Sequence, residues 1–400
     1  MKILIVNKFL YPHGGSETYA LKIGKFLKEK GHEVEYFGME DRRNIVGNSR
    51  GAYTSNMDFH TGKWVKFLYP FKIIYSVEAR KKIREVLESL NPDVVHLNNF
   101  YFQITPSILY EIKKFEKVKQ KRIKIVFTAH DYHLICPNHM LRRFTTNENC
   151  ERCVCGDFFN CISGKCIHGS IVKSSIGCME AYVYKFLKTY RFIDIIICPT
   201  AFMKSKLDRN RVLRDKTMVL HNFIDEISHG NIKKDYVLYF GRYSKEKGIE
   251  TLIEVCKQLT DIQFIFAGTG PLEEEINKVC NIRNMGFMKG EELYDLIAQA
   301  KFSICPSEWY ENCPFSVMES IMYGTPVLGA DIGGIPELIE DKKNGELFIS
   351  GDKENLSKKI KNLWVNKDKC KKYVAGCQKS NLITIEEYYQ KLIGIYKQHY

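Results

Sequence analysis

Three groups of residues in this 400-residue sequence have the types and spacing to do chemistry. In the first, the apolar run Tyr236–Phe240 leads into Gly241-Arg242, and Lys245, Lys247 and Gly248 then open a helical pattern. Fixed cations where a strand turns into a helix suit a diphosphate, which needs both point charge and directed donors. The second group runs from Pro306 through Ser307, Glu308, Trp309, Tyr310, Glu311, Asn312, Cys313 and Pro314 to Phe315, Ser316 and Glu319. Glu311 falls at the end of a loop and Glu319 in the first turns of a helix from Phe315. A carboxylate accepts hydrogen bonds from vicinal hydroxyls, so this pair suits two sugars, one of them a ribose. The third group is made of thiols. Of fourteen cysteines, six lie between Cys150 and Cys178. Cys150-x2-Cys153 with Cys161-x4-Cys166 supplies four thiolates at spacings suited to tetrahedral zinc, with Cys136, Cys155 and Cys178 as alternates, and unligated buried or surface thiols are the equal alternative. Such a site is structural, since four cysteines leave no open coordination position.

Periodicity supplies the elements that must position these groups. Lys2–Asn7 is a short β-type run, Ser16–Lys30 puts Tyr19, Ile23, Phe26 and Leu27 on one helical face, and Val34–Phe37 returns to strand. This βαβ rhythm continues through Val94–Leu97, Ile123–Thr128 and Ile193–Cys198. It restarts after Val219–Asp225 with Tyr236–Phe240, Gln263–Ala267, Phe302–Cys305 and Pro326–Gly329. The expected fold is α/β, two doubly wound Rossmann-like domains facing across a cleft lined by strand-end loops. The expected divisions are 1–222, with a Cys-rich insertion at about 136–178, then 223–383, and a final helix 384–400 packing across the junction. In the first domain, His13-Gly14-Gly15-Ser16-Glu17 forms a strand-to-helix turn whose glycines let backbone N–H groups approach a phosphate. His130 follows the strand Ile123–Thr128.

Composition limits what such a fold can be doing. With 44% apolar and 27% charged residues the chain is globular, and no apolar run approaches the roughly 18 residues of a membrane-spanning helix. The apolar run after Met1-Lys2 ends at Val6, short of the roughly 7–15 residues of a secretory core, which gives a cytoplasmic reading and reduced thiols. The net charge of +13 is uneven: residues 1–200 carry +12 and residues 201–400 carry +1. A basic half attracts polyanions, whether nucleic acid, anionic lipid or phosphorylated substrate. The run Lys113, Lys114, Lys117, Lys119, Lys121, Arg122, Lys124 is the densest part, and an anionic inner-leaflet surface is its sharpest reading. Solvated helix charge is the plain one.

Gly14-Gly15, His130-Asp131, Gly241-Arg242 with Lys247-Gly248, Gly268-Thr269-Gly270-Pro271, Glu311 with Glu319, Gly324-Thr325-Pro326-Val327 and Gly333-Gly334-Ile335-Pro336-Glu337 occur in an order that resembles retaining GT-B glycosyltransferases of family 4. The resemblance spans nearly the whole chain. It implies transfer of a sugar from a nucleoside-diphosphate sugar, a UDP- or GDP-sugar, with retention at the anomeric carbon and without a catalytic metal. Carried onto this chain, Arg242 and Lys247 bind the diphosphate and stabilise it as a leaving group. Glu319 holds the ribose, and Glu311 faces the transferred sugar. The N–H groups of Phe315 and Ser316 meet the sugar or β-phosphate, His130 reaches the sugar from the first domain, and Gly15 closes on the β-phosphate. Gly334 and Glu337 are assigned structure first. The resemblance also implies a glycan or lipid-diphosphate-linked acceptor in cell-surface polysaccharide assembly. Two rivals stand beside this reading. A nucleotide-sugar epimerase on the same fold would use the same donor site. A zinc-containing nucleic-acid-binding protein would account for charge and cysteines but leaves Arg242, Lys247 and the two glutamates unexplained.

Overall fold

The computed structural model describes residues 1–56, 69–225 and 232–398. Contacts divide the chain into two units, Met1–Leu220 with Ile385–Tyr400, and His221–Thr384.

Each unit is built on a six-stranded parallel sheet. In the first, the strands β1 (Lys2–Val6), β2 (Glu33–Phe37), β3 (Val94–Leu97), β4 (Lys124–Thr128), β5 (Ile195–Cys198) and β6 (Thr217–Val219) lie in the order β2-β1-β3-β4-β5-β6. In the second, β7 (Val237–Phe240), β8 (Phe264–Ala267), β9 (Ile282–Asn284), β10 (Phe302–Cys305), β11 (Val327–Ala330) and β12 (Gly345–Phe348) lie in the order β12-β11-β10-β7-β8-β9. Short, wholly buried strands such as β5 and β8 are expected where helices cover both faces of a parallel sheet. The strand order reverses between β1 and β3 in one unit and between β7 and β10 in the other. At such switch points the loops beyond the carboxyl ends diverge and leave a crevice.

The final helix, Ile385–Lys397, is grouped with the first unit, where the sequence reading gave it a place across the junction. Its aromatic face explains why. Tyr388 and Tyr19 share a hydroxyl hydrogen bond of 2.6 Å, and the Tyr396 hydroxyl lies 2.6 Å from His96 Nδ1. All four side chains are buried. The unit boundary falls at Leu220 rather than after residue 222, because Asn222 and Ile224 pair within the second unit, with the Cys313 and Ile383 carbonyls respectively. Among the described residues no helix is long and apolar enough to cross a membrane.

Candidate active site

The crevice between β7 and β10 holds the second unit's chemistry. After β7 the chain turns through Gly241 and Arg242, makes a 3-10 turn at Lys245–Lys247, and enters the helix Ile249–Gln258 through Gly248. Gly248 has φ of +70°, and a Cβ there would lie 1.9 Å from the Pro306 carbonyl oxygen. Only glycine lets the loop after β7 rest directly on the loop after β10. The result is contact between the two groups read from the sequence. Lys247 Nζ lies 2.5 Å from Glu311 Oε1, and the Ser307 hydroxyl donates to the same oxygen at 2.5 Å. The ammonium also stands 5.2 Å from the centre of the Trp309 ring.

Glu311 is 5% exposed. Burial pushes its carboxyl up, but the neighbouring Lys247 ammonium and the hydrogen bonds from Lys247 and Ser307 outweigh it and hold the group below the usual carboxylate range. It is therefore a fixed anion at neutral pH. The Gly333-Gly334 turn holds its backbone: Gly334 N–H donates to the Glu311 carbonyl at 2.7 Å, and a Cβ on Gly333, where φ is +61°, would come within 2.5 Å of that oxygen. The structural assignment given to Gly334 has this physical basis.

Glu319 lies one turn inside the helix Phe315–Met322. Phe315 and Ser316 open that helix, ahead of the first turn's bonds from the Val317 and Met318 N–H groups to the Pro314 carbonyl. A helix start of this kind presents amides to an anion. Arg242 is more loosely held, 62% exposed, with one guanidinium nitrogen 3.3 Å from Glu246. A surface pair of that sort is weak and can exchange for a ligand phosphate.

The switch point of the first unit gathers a second set. Gly15 opens the helix Gly15–Glu29 just beyond β1. Glu17, in its first turn, is buried and accepts from Asn7 Nδ2 at 3.2 Å and Asn99 Nδ2 at 3.5 Å. Burial brings the nearby Lys8 down to about 8, with Glu17 acting in the opposite direction. His130 Nε2 lies 2.8 Å from Asn98 Oδ1, and the ring meets Tyr19 edge-on at 4.9 Å. A carboxamide oxygen only accepts, so Nε2 carries the proton and Nδ1 keeps its lone pair. Burial pushes the imidazole down to about 3, so it is neutral at physiological pH. Glu17, Asn7, Asn98 and Asn99 were not singled out from the sequence. Alone, a first-turn glutamate reads as dipole complementarity and an asparagine as a turn residue, and only the strand order brings them together.

The cysteines read as a zinc clip lie in the first unit. Among the described residues no three His, Cys, Asp or Glu side chains are gathered as a metal centre would require. Cys153, Cys161 and Cys166 are instead buried with Phe158 and Cys178 in an apolar cluster, and Cys150 is half-buried. Burial pushes the Cys153 thiol up, whereas the hydrogen bond from Cys161 brings the Cys166 thiol down to about 7.

Comparison with known proteins settles the family. A model described as Glycosyltransferase Family 4 matches residues 13–226, more than half of the chain, and one described as Glycosyl transferases group 1 matches residues 222–379. The chain belongs to glycosyltransferase family 4. Its two Rossmann-like units are those of the GT-B fold. Among relatives of this family-4 chain, an uncharacterized glycosyltransferase of Methanocaldococcus jannaschii, MJ1178, is 28% identical over 212 residues, half of this chain. The match spans 58% of that protein's length. The N-acetyl-alpha-D-glucosaminyl L-malate synthase of Bacillus anthracis is 24% identical over 365 residues, 86% of this chain and 82% of that one. The crystal structure of Anabaena Alr3699/HepE in complex with UDP and glucose superposes with a TM-score of 0.69 at 16% identity, covering 100% of both chains.

Proposed function

We propose that this family-4 glycosyltransferase takes its sugar from a UDP-sugar and transfers it, with retention at the anomeric carbon, to a glycan or lipid-linked acceptor. The observation that carries this reading is the 2.5 Å pairing of Lys247 with the buried Glu311 at the β7/β10 switch point, beside the helix start at Phe315. A fixed ammonium and a pair of helix-start amides meet a diphosphate, and Arg242 adds a mobile second cation. Negative charge that develops on the departing diphosphate falls on groups already in place, so departure needs no metal ion for charge. Glu311, kept ionised, faces the transferred sugar, and Glu319 holds the ribose hydroxyls. Gly15 is assigned to the β-phosphate, and His130, with its neutral Nδ1, to a sugar hydroxyl. The UDP and glucose held by the Anabaena protein favour uridine over guanosine as the base.

Cell-surface polysaccharide assembly, a cytoplasmic site and a peripheral place on an anionic membrane face complete the reading. Much of the basic run first suspected of membrane contact is engaged within the unit. Lys113 pairs with Glu116, Lys121 with Asp93, and Arg122 with Glu116 and Asp194. A better support for the membrane is the helix Ile171–Phe186, which exposes Val172, Met179 and Phe186 at helical spacing, with Lys173 and Lys185 on the same element.

The test is a panel of UDP- and GDP-sugars with the purified protein, reading release of nucleoside diphosphate. Release of UDP from one UDP-sugar, accelerated by a glycan acceptor, supports the proposal. Conversion of the donor to its epimer without UDP release contradicts it.

A further inference from the structure

The first unit contains a cavity of about 550 Å³ whose lining includes none of Gly15, His130, Arg242, Lys247, Glu311 and Glu319. It lies among the helix Ile171–Phe186, the turn at Lys188–Tyr190, the loop from His133 to Pro137 and the stretch Arg209–Arg214. A volume of this size is that of a small-molecule site, large enough for a hexose with a phosphate.

Two features give the cavity a chemistry. The first is Glu180. Its side chain is buried, at 7% exposure, and lines the cavity, and Oε1 has no hydrogen-bond partner. A buried carboxyl oxygen without a partner is a cost the fold has no packing reason to carry, and it asks for a hydroxyl or an amine to complete it. Burial pushes the carboxyl up to about 8. The second feature is charge. Lys185, Lys188, Arg209, Arg211 and Arg214 all line the cavity, and Glu180 is the one carboxylate among its lining residues. Arg209 is held by Glu151 at 2.6 Å and Lys185 by the Gly156 carbonyl at 2.6 Å, so both cations are fixed in direction. Lys188 and Arg211 are exposed. Phe158 and Tyr184 also line the cavity, and their rings suit the apolar face of a sugar.

We propose that this cavity is a second ligand site, taking a phosphorylated, hydroxyl-bearing molecule of sugar-phosphate size. The phosphate sits among the arginines and lysines, and a hydroxyl completes Glu180. The same chemistry is offered by a soluble sugar phosphate and by the phosphorylated head group of a lipid. The inference stands apart from the UDP-sugar reading, since it uses neither Lys247 nor Glu311.

The experiment is calorimetric titration of the full chain with glucose 1-phosphate, beside sedimentation with phosphatidylglycerol vesicles. The variants are Glu180→Leu, the Lys188→Ala/Arg211→Ala pair, and Lys247→Ala. Saturable binding of glucose 1-phosphate at one site is expected, weakened at least tenfold by Glu180→Leu and by the double variant and unchanged by Lys247→Ala. Unaltered UDP affinity in Glu180→Leu shows that the variant is folded. Vesicle binding without glucose 1-phosphate binding, lost in the same two variants, assigns the site to a lipid head group. Absence of both, or binding that survives Glu180→Leu and the double variant, overturns the proposal. Binding of glucose 1-phosphate that is lost only in Lys247→Ala places it in the other unit and overturns the proposal too.

Discussion

Lys247 Nζ and Glu311 Oε1 are 2.5 Å apart, although 64 residues separate them in the chain. The cation proposed for a diphosphate and the anion proposed for a sugar thus form one ion pair. The pair keeps Glu311 ionised despite burial. Losing one partner therefore does more than delete a contact, because it leaves the other charge buried without its complement.

Replacing Lys247 by Ala removes charge stabilisation of the leaving diphosphate and should cost about 2–4 kcal/mol in the transition state, roughly 10²–10³ in rate. Steady-state turnover of UDP-sugar, with circular dichroism to confirm folding, measures this. Wild-type turnover in a folded Lys247→Ala protein contradicts the role.

The two glutamates separate by product affinity. Glu319→Ala should weaken UDP binding, whereas Glu311→Gln, which keeps the side chain's shape, should spare UDP affinity and lose turnover. Titration with UDP alone is the readout. Equal losses of UDP affinity in both variants would mean that the ribose has been assigned to the wrong carboxylate.

Much of this arrangement is legible in the sequence, and the reasons differ by element. Buried parallel strands such as Val94–Leu97 announce themselves as unbroken apolar runs. β12 does not, because Gly345 and Glu346 interrupt the pattern. The structure shows that Glu346 is buried against Lys359 and Tyr373, each at 2.8 Å, so its charge is answered from distant helices that no local window contains. β9 is hidden for a simpler reason, being three residues long with an exposed Arg283. Arg242, Lys247 and Glu311 could be named from residue type and spacing. The supporting Asn98 and Glu17 could not, since they pair with His130 and Asn99, which follow other strands.

Removal of metal tests the zinc reading of the cysteines. If Cys150, Cys153, Cys161 and Cys166 form a clip, prolonged dialysis against a chelator should release about one zinc per chain and lower the melting temperature. A metal-free protein with unchanged melting temperature and turnover contradicts it.

Glu180 makes a prediction about pH. It is surrounded by Tyr184 on its own helix, Tyr190 beyond it, His133 from the loop after β4, and the Arg209–Arg214 stretch. Its carboxyl, ordinarily near 4.5, is pushed up to about 8 by burial, so the unfolded chain releases this proton at lower pH than the folded one. Stability therefore falls as pH rises from about 4.5 to about 8 and then levels, by about 3 kcal/mol at pH 7. Glu180→Gln removes the dependence. Denaturant midpoints at pH 5 and pH 8 should converge for wild type and variant at pH 5 and favour the variant at pH 8. Parallel pH profiles would contradict the burial argument.

The central claim is retaining transfer from a UDP-sugar, and the anomeric configuration of the released sugar tests it most directly. With water as acceptor, proton NMR of a UDP-α-sugar incubated with the protein should show the α-anomer of the free sugar appearing first, together with UDP, before mutarotation mixes the anomers. First appearance of the β-anomer would contradict retention, and no UDP release from any UDP-sugar would contradict the donor itself.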